Sequence, residues 1–152
     1  MRDRSHPAIY RACSKEGSFL PLAKIDTAII KSMLTLASED LRTVEYWRAH
    51  APRTSGQWNA IYKLAYDVLH ALAECILHLD GIKAKTHECV FAHIVEHNAE
   101  LSWDFFEKVR SKRNRSIYYG QLIGYNDWKE VELQLLLYIH TLEGIVQARL
   151  GR

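Results

Sequence analysis

Between Lys108 and Arg115 the chain carries five cationic side chains, Lys108, Arg110, Lys112, Arg113 and Arg115, followed by Tyr118, Tyr119 and Gly120. Clustered cations beside aromatic rings are side chains that hold phosphates and stack on bases. On a helix turning about 100° per residue, Phe106, Val109, Arg113 and Ile117 share one face, and Lys108, Lys112 and Arg115 share another. Arg113 thus extends an apolar face. A guanidinium held there needs hydrogen bonds or an opening to water, because an unpaired buried charge is strongly unfavourable. Two readings stand side by side. Arg113 snorkels or pairs with a core acid, or its forked guanidinium builds an anion site. The Lys108, Lys112 and Arg115 stripe reads as a solvated helix face.

Other groups repeat at helical spacing. Lys63, Tyr66, Asp67 and His70 follow one another along a second stretch, and His70 lies among small and apolar neighbours. A histidine in that setting is more often hydrogen-bonded structure than a catalyst. His93 and His97 are one turn apart, but a zinc-type HExxH beginning at His87 would need histidine where Phe91 stands. With no cysteine or acid at ligand spacing, no metal site is expected. No P-loop, GxGxxG or GxSxG occurs, and no cofactor is expected.

The elements that must position these residues read as helices. Leu22, Ile25, Ile29, Met33, Leu36, Leu41 and Val44 suggest one long helix ending before Pro52 and Gly56. A second, about 55–80, carries Ile61, Leu64, Val68, Leu72, Ile76 and Leu79 to a stop at Gly81. Thr86 is the expected N-cap of a shorter helix through about Asn98. A fourth begins near Ser102 and runs into the basic stretch, and a fifth spans about 127–150. Residues 1–20 show no clear period and read as an N-terminal arm or short accessory helix, with residues 21–152 as the main bundle. No strand-like alternation of useful length is present. An all-α fold follows, an up-and-down bundle of about five helices.

Bulk properties agree. The 152 residues are 48% apolar and 25% charged, which suits one globular domain and excludes disorder. A net charge of +2 does not by itself signal nucleic acid, although a local cluster can. Cys13, Cys75 and Cys89 are odd in number, widely spaced and outside any CxxC, so reduced thiols in a cytoplasmic protein are expected. No apolar run reaches signal-peptide or membrane-span length, so no membrane association is expected.

The segment "KLAYDVLHALAECILHLDGIKAKTHECVFAHI" (63–94), followed by "KRNRSIYYG" (112–120), resembles the HEPN domain family. A basic–x–x–Tyr–x–x–x–His–Ala pattern is matched by Lys63, Tyr66, His70 and Ala71. A Gly-Ile-Lys-x-Lys-Thr-His turn is matched from Gly81 to His87, and an Arg-Asn pair by Arg113 and Asn114. The similarity covers about residues 22–148. It implies a helical bundle that dimerises, with the Arg-Asn segments of two subunits along a shared groove. Many such proteins are metal-independent ribonucleases of toxin–antitoxin or defence systems; others bind nucleotides or accompany minimal nucleotidyltransferases.

In the ribonucleases an arginine is followed after a short spacer by a histidine, the one holding the scissile phosphate and the other moving a proton. Here positions 117–120 read Ile117, Tyr118, Tyr119 and Gly120, so Tyr118 stands where the histidine would be. A phenol, which ordinarily ionises near pH ~10, is a poor base at neutral pH. The expected role is an RNA- or nucleotide-phosphate-binding homodimer with cleavage lost or weakened. Its expected ligand-binding residues are Arg113, Asn114, Lys63, Tyr66, His87 and Tyr118. An active ribonuclease would draw its catalytic groups from Arg113, Tyr118 and His70, or from His87 reaching in from another helix. A third role is a structural partner of a minimal nucleotidyltransferase, with Trp47, Trp58, Trp103 and Trp128 either forming an interface or serving as core and bundle-end residues.

Overall fold

A computed structural model describes residues 1–151. Six helices and two three-residue strands follow in the order α1 (His6–Lys15), β1 (Phe19–Pro21), α2 (Thr27–His50), α3 (Gln57–Leu79), β2 (Ile82–Ala84), α4 (His87–His97), α5 (Trp103–Tyr119) and α6 (Tyr125–Leu150). The chain is helical in the main, as expected, with six helices where about five were anticipated. The extra one lies in the first twenty residues. Ser5 precedes it with Pro7 in its first turn, which suits proline's fixed φ and missing N–H, and Ile9 and Cys13 supply its buried side.

Backbone chemistry explains most boundaries. The Asp26 carboxylate accepts from the N–H groups of Ala28 and Ile29 and opens α2. Thr86 Oγ1 accepts from Cys89 N at 3.1 Å and opens α4, and Ser102 Oγ accepts from Phe105 N at 3.2 Å and opens α5. Gly81 (φ +76°) and Gly120 (φ +65°) take the left-handed conformation just beyond α3 and α5, which only glycine adopts without strain.

At the centre, α3 buries residues around much of its circumference, from Trp58 and Tyr62 to Leu72 and Ile76. It packs against α2, α6, α4 and α5. Ser38 Oγ donates to Glu143 on α6 at 3.1 Å, and Arg48 sits 3.5 Å from Glu132, so α2 and α6 run antiparallel. Between α3 and α4, β2 pairs antiparallel with β1 in the register Phe19↔Ala84, Leu20↔Lys83, Pro21↔Ile82. These strands are too short to show alternation in the sequence.

Three expectations are corrected or narrowed. First, α2 turns Ile30, Ala37, Leu41 and Val44 inward and leaves Ile29 and Leu36 exposed. The anticipated stripe mixed two faces, since Ile29 and Ile30 differ by about 100° on a helix. Second, Trp58, Trp103 and Trp128 are core residues, and of the four tryptophans only Trp47 is exposed. Third, Cys13 of α1 is disulfide-bonded to Cys89 of α4 across 76 positions, while Cys75 is free and buried. The pairing joins helices remote in sequence, so spacing gave no sign of it. No helix among the described residues is long and apolar enough to cross a membrane.

A candidate anion-binding cavity between α4 and α5

Thr86 caps α4 close to the middle of α5, and an open cavity of about 520 Å³ forms between them. Its wall comprises Thr86, His87, Glu88, Arg110, Arg113, Asn114 and Tyr118. The Arg113 side chain is largely buried, at 18% exposed, yet poorly satisfied. Its Nη1 donates to Asn114 Oδ1 at 3.2 Å, and its Nε is buried without a partner. Asp67, half out in solvent, is 3.8 Å from Nη2, beyond hydrogen-bonding distance. The guanidinium carbon lies 5.0 Å from the Tyr66 ring centroid, a cation–π contact that orients the group without neutralising it. Arg113 is therefore a buried cation with donors to spare on a solvent-open wall. Burial pushes the Asp67 carboxyl up despite the Arg113 charge beside it.

Beneath Arg113 lies a ring stack. Tyr66 is fully buried, and its hydroxyl is 2.9 Å from His87 Nδ1. The imidazoles of His70 and His87 stack at 3.7 Å between centroids, with Phe91 edge-on to His70. Burial, with the positive charges of His87 and Arg113 added, pushes His70 down to about 3. Its Nε2 has no hydrogen-bond partner; Glu74 Oε1 at 3.5 Å faces a neutral ring, so no ion pair forms. Burial and the Arg113 charge also hold His87 below the usual imidazole range. Neutral His87 thus sits on the wall with Nδ1 tied to Tyr66, and no protein group among the described residues bonds its Nε2.

The anticipated site residues divide accordingly. Arg113, Asn114, His87 and Tyr118 share the cavity wall, whereas Tyr66 and His70 lie underneath as supports. Lys63 is not on that wall; one turn before Asp67, it acts on that carboxylate through its charge. Ile117, expected on the apolar face, is 43% exposed because α5 runs past the core before its end. His93 is engaged elsewhere, with Nε2 2.8 Å from Asp80, which Arg149 also holds at 2.8 Å. No group of three metal-ligating side chains gathers among the described residues.

Sequence reasoning gave no role to Glu88 and counted Arg110 only as a member of the basic cluster. Arg110 is bound by Glu107 at 2.9 Å and by Glu88 at 3.2 Å, and Arg4 reaches both carboxylates. This network fixes the cavity floor and uses up Arg110, leaving Arg113 as the less committed cation. The spacing of Glu107 and Arg110 gave a partial sign, but the contributions of Arg4 and Glu88 depend on tertiary folding. Comparison with protein-family models, curated proteins and solved structures returns no match, so the HEPN resemblance rests on the residues quoted above.

Proposed function

We propose that this protein is a HEPN-like helical bundle that works as a homodimer in a toxin–antitoxin or defence module. It holds RNA or nucleotide phosphate through Arg113 and Asn114, and cleavage is lost or weakened because Tyr118 replaces the motif histidine. The supporting observation is the state of Arg113: buried, with an unpartnered Nε and only a loose contact to Asp67, on the wall of an open cavity. A guanidinium kept for structure alone would be expected to have its donors matched. Exposed Ile29 and Leu36 on α2 and Leu133 and Leu137 on α6 offer apolar surface for a second copy.

The test is RNA affinity across a salt series. Binding should weaken steeply as salt rises, and Arg113→Ala should weaken it by about tenfold or more at fixed salt. Unchanged affinity in that variant refutes the assignment.

A second reading, metal-independent RNA cleavage, is favoured by the placement of His87 on the same wall. With Nδ1–H donating to the Tyr66 hydroxyl oxygen, Nε2 would carry a lone pair able to take the proton of a ribose 2′-hydroxyl. The 2′-oxygen would attack phosphorus, and the 5′-oxygen would leave with a proton from water, whose hydroxide recovers the proton on Nε2. The products are a 2′,3′-cyclic phosphate and a 5′-hydroxyl. Incubation with RNA and a chelator decides: cleavage abolished in both His87→Ala and Arg113→Ala supports this reading, and no cleavage by the parent protein removes it.

A further inference from the structure

A second cavity of about 400 Å³ adjoins the first across α5. It adds Arg4, Glu107, Ser111, Arg115 and Tyr119, and shares Glu88, Arg110 and Asn114 with its neighbour. Helical spacing accounts for the arrangement. Arg110, Asn114 and Tyr118 form one i,i+4 row, and Ser111, Arg115 and Tyr119 form the next. Both rows end in a tyrosine at the last turn, where Gly120 redirects the chain. The two rings are left uncovered, Tyr118 at 71% and Tyr119 at 83% exposure.

Charge favours an anion along the whole length. Arg4, Arg110, Arg113 and Arg115 face Glu88 and Glu107, four cations against two carboxylates. Both carboxylates are taken by Arg4 and Arg110. Lys108 and Lys112 are drawn to Glu130 and Asp127 on α6. Arg115 also borders Asp127 and Glu130 on α6, but it forms no ion pair within 4 Å among the described residues and remains exposed. Each cavity therefore combines an arginine that no carboxylate holds at hydrogen-bonding distance with an exposed phenol ring.

We infer that the paired cavities form one groove for single-stranded nucleic acid, with Arg113 and Arg115 taking successive phosphates and Tyr118 and Tyr119 stacking on successive bases. A mononucleotide fills only one half. In a duplex the base faces are already stacked on their neighbours, so the tyrosines have nothing to cover. The inference rests on the phosphate-holding reading of Arg113 but adds Arg115, Tyr119 and the strandedness of the ligand.

The experiment is fluorescence anisotropy with labelled oligouridine, oligodeoxythymidine and an RNA duplex of equal length, with uridine monophosphate as competitor. The single strands should bind more tightly than the duplex, and the mononucleotide should compete only weakly. Tyr119→Ala and Arg115→Ala should each weaken single-strand binding by about tenfold. Tyr119→Phe, which keeps the stacking face, should restore it. Both positions are exposed, so folding is checked simply by far-ultraviolet circular dichroism. If Arg113→Ala weakens binding but Tyr119→Ala and Arg115→Ala do not, the groove is refuted while the Arg113 site stands. Equal affinity for duplex, or a Tyr119→Ala effect on self-association alone, also overturns it. If no oligonucleotide binds, or Arg113→Ala binds as the parent does, both readings fail.

Discussion

Replacing Arg113 by methionine separates a guanidinium kept for ligand binding from one kept for the fold. In the folded chain it gains one hydrogen bond to Asn114, about 1 kcal/mol net. It also gains a ring contact with Tyr66, about 1 kcal/mol, and a loose pair with half-exposed Asp67, about 0–1 kcal/mol. Against these stand about 1–3 kcal/mol for the unpartnered Nε and a further few kcal/mol for removing the charge from water. The balance lies near zero or on the unfavourable side. Methionine keeps the aliphatic stem and a sulfur contact with the Tyr66 ring. Arg113→Met should therefore stabilise by about 1 kcal/mol, raising Tm by about 2–4 °C in a chain of this size. Differential scanning calorimetry at neutral pH, with RNA binding measured on the same sample, reads both sides of the exchange. Stability should rise as binding is lost. Removing one partner of a structural buried pair costs about 3–5 kcal/mol, so a fall in Tm of about 10 °C would refute the reasoning.

The histidine stack makes stability depend on pH. Since the folded pKa of His70 is depressed to about 3 from 6.5, the unfolded chain binds its proton first as pH falls. The contribution is full above pH ~6.5 and is lost progressively toward pH ~3, on the order of a few kcal/mol, with His87 shifted in the same direction. Urea titrations over that window should show His70→Phe flattening the decline, and an unchanged slope would contradict the buried-imidazole account. The Cys13–Cys89 link should matter for stability, because it closes 76 positions and constrains the unfolded chain. Chain-entropy reasoning gives about 4 kcal/mol, so Cys13→Ser should lower Tm by about 10 °C, and a shift under about 2 °C would remove that role.

What the sequence made legible was whatever local chemistry decides. Thr86 and Ser102 were readable as caps because their oxygens satisfy N–H groups within the next turn, and Gly81 because a left-handed stop excludes most side chains. Arg113 stood out because charge on an apolar face is visible from spacing alone. Contacts between remote segments were hidden. Pairing of Phe19–Pro21 with Ile82–Ala84, the disulfide, and the convergence of Arg4, Glu88 and Glu107 on one cavity all require the finished fold. Lys63 shares the helical spacing of Tyr66 and His70, yet it does not line the cavity wall. His87 was noticed as a histidine, whereas its stack on His70 and its bond to Tyr66 emerged only when α3 and α4 met.

The central claim concerns the Arg113 guanidinium and can be watched directly. Arginine side-chain N–H resonances of nitrogen-15-labelled protein, with Arg113 assigned by its disappearance in Arg113→Lys, should be followed while a short single-stranded RNA is titrated. The Arg113 signals should shift in step with the bound fraction and exchange more slowly with water as the phosphate engages its spare donors. Saturable RNA binding that leaves those signals unmoved would contradict the account.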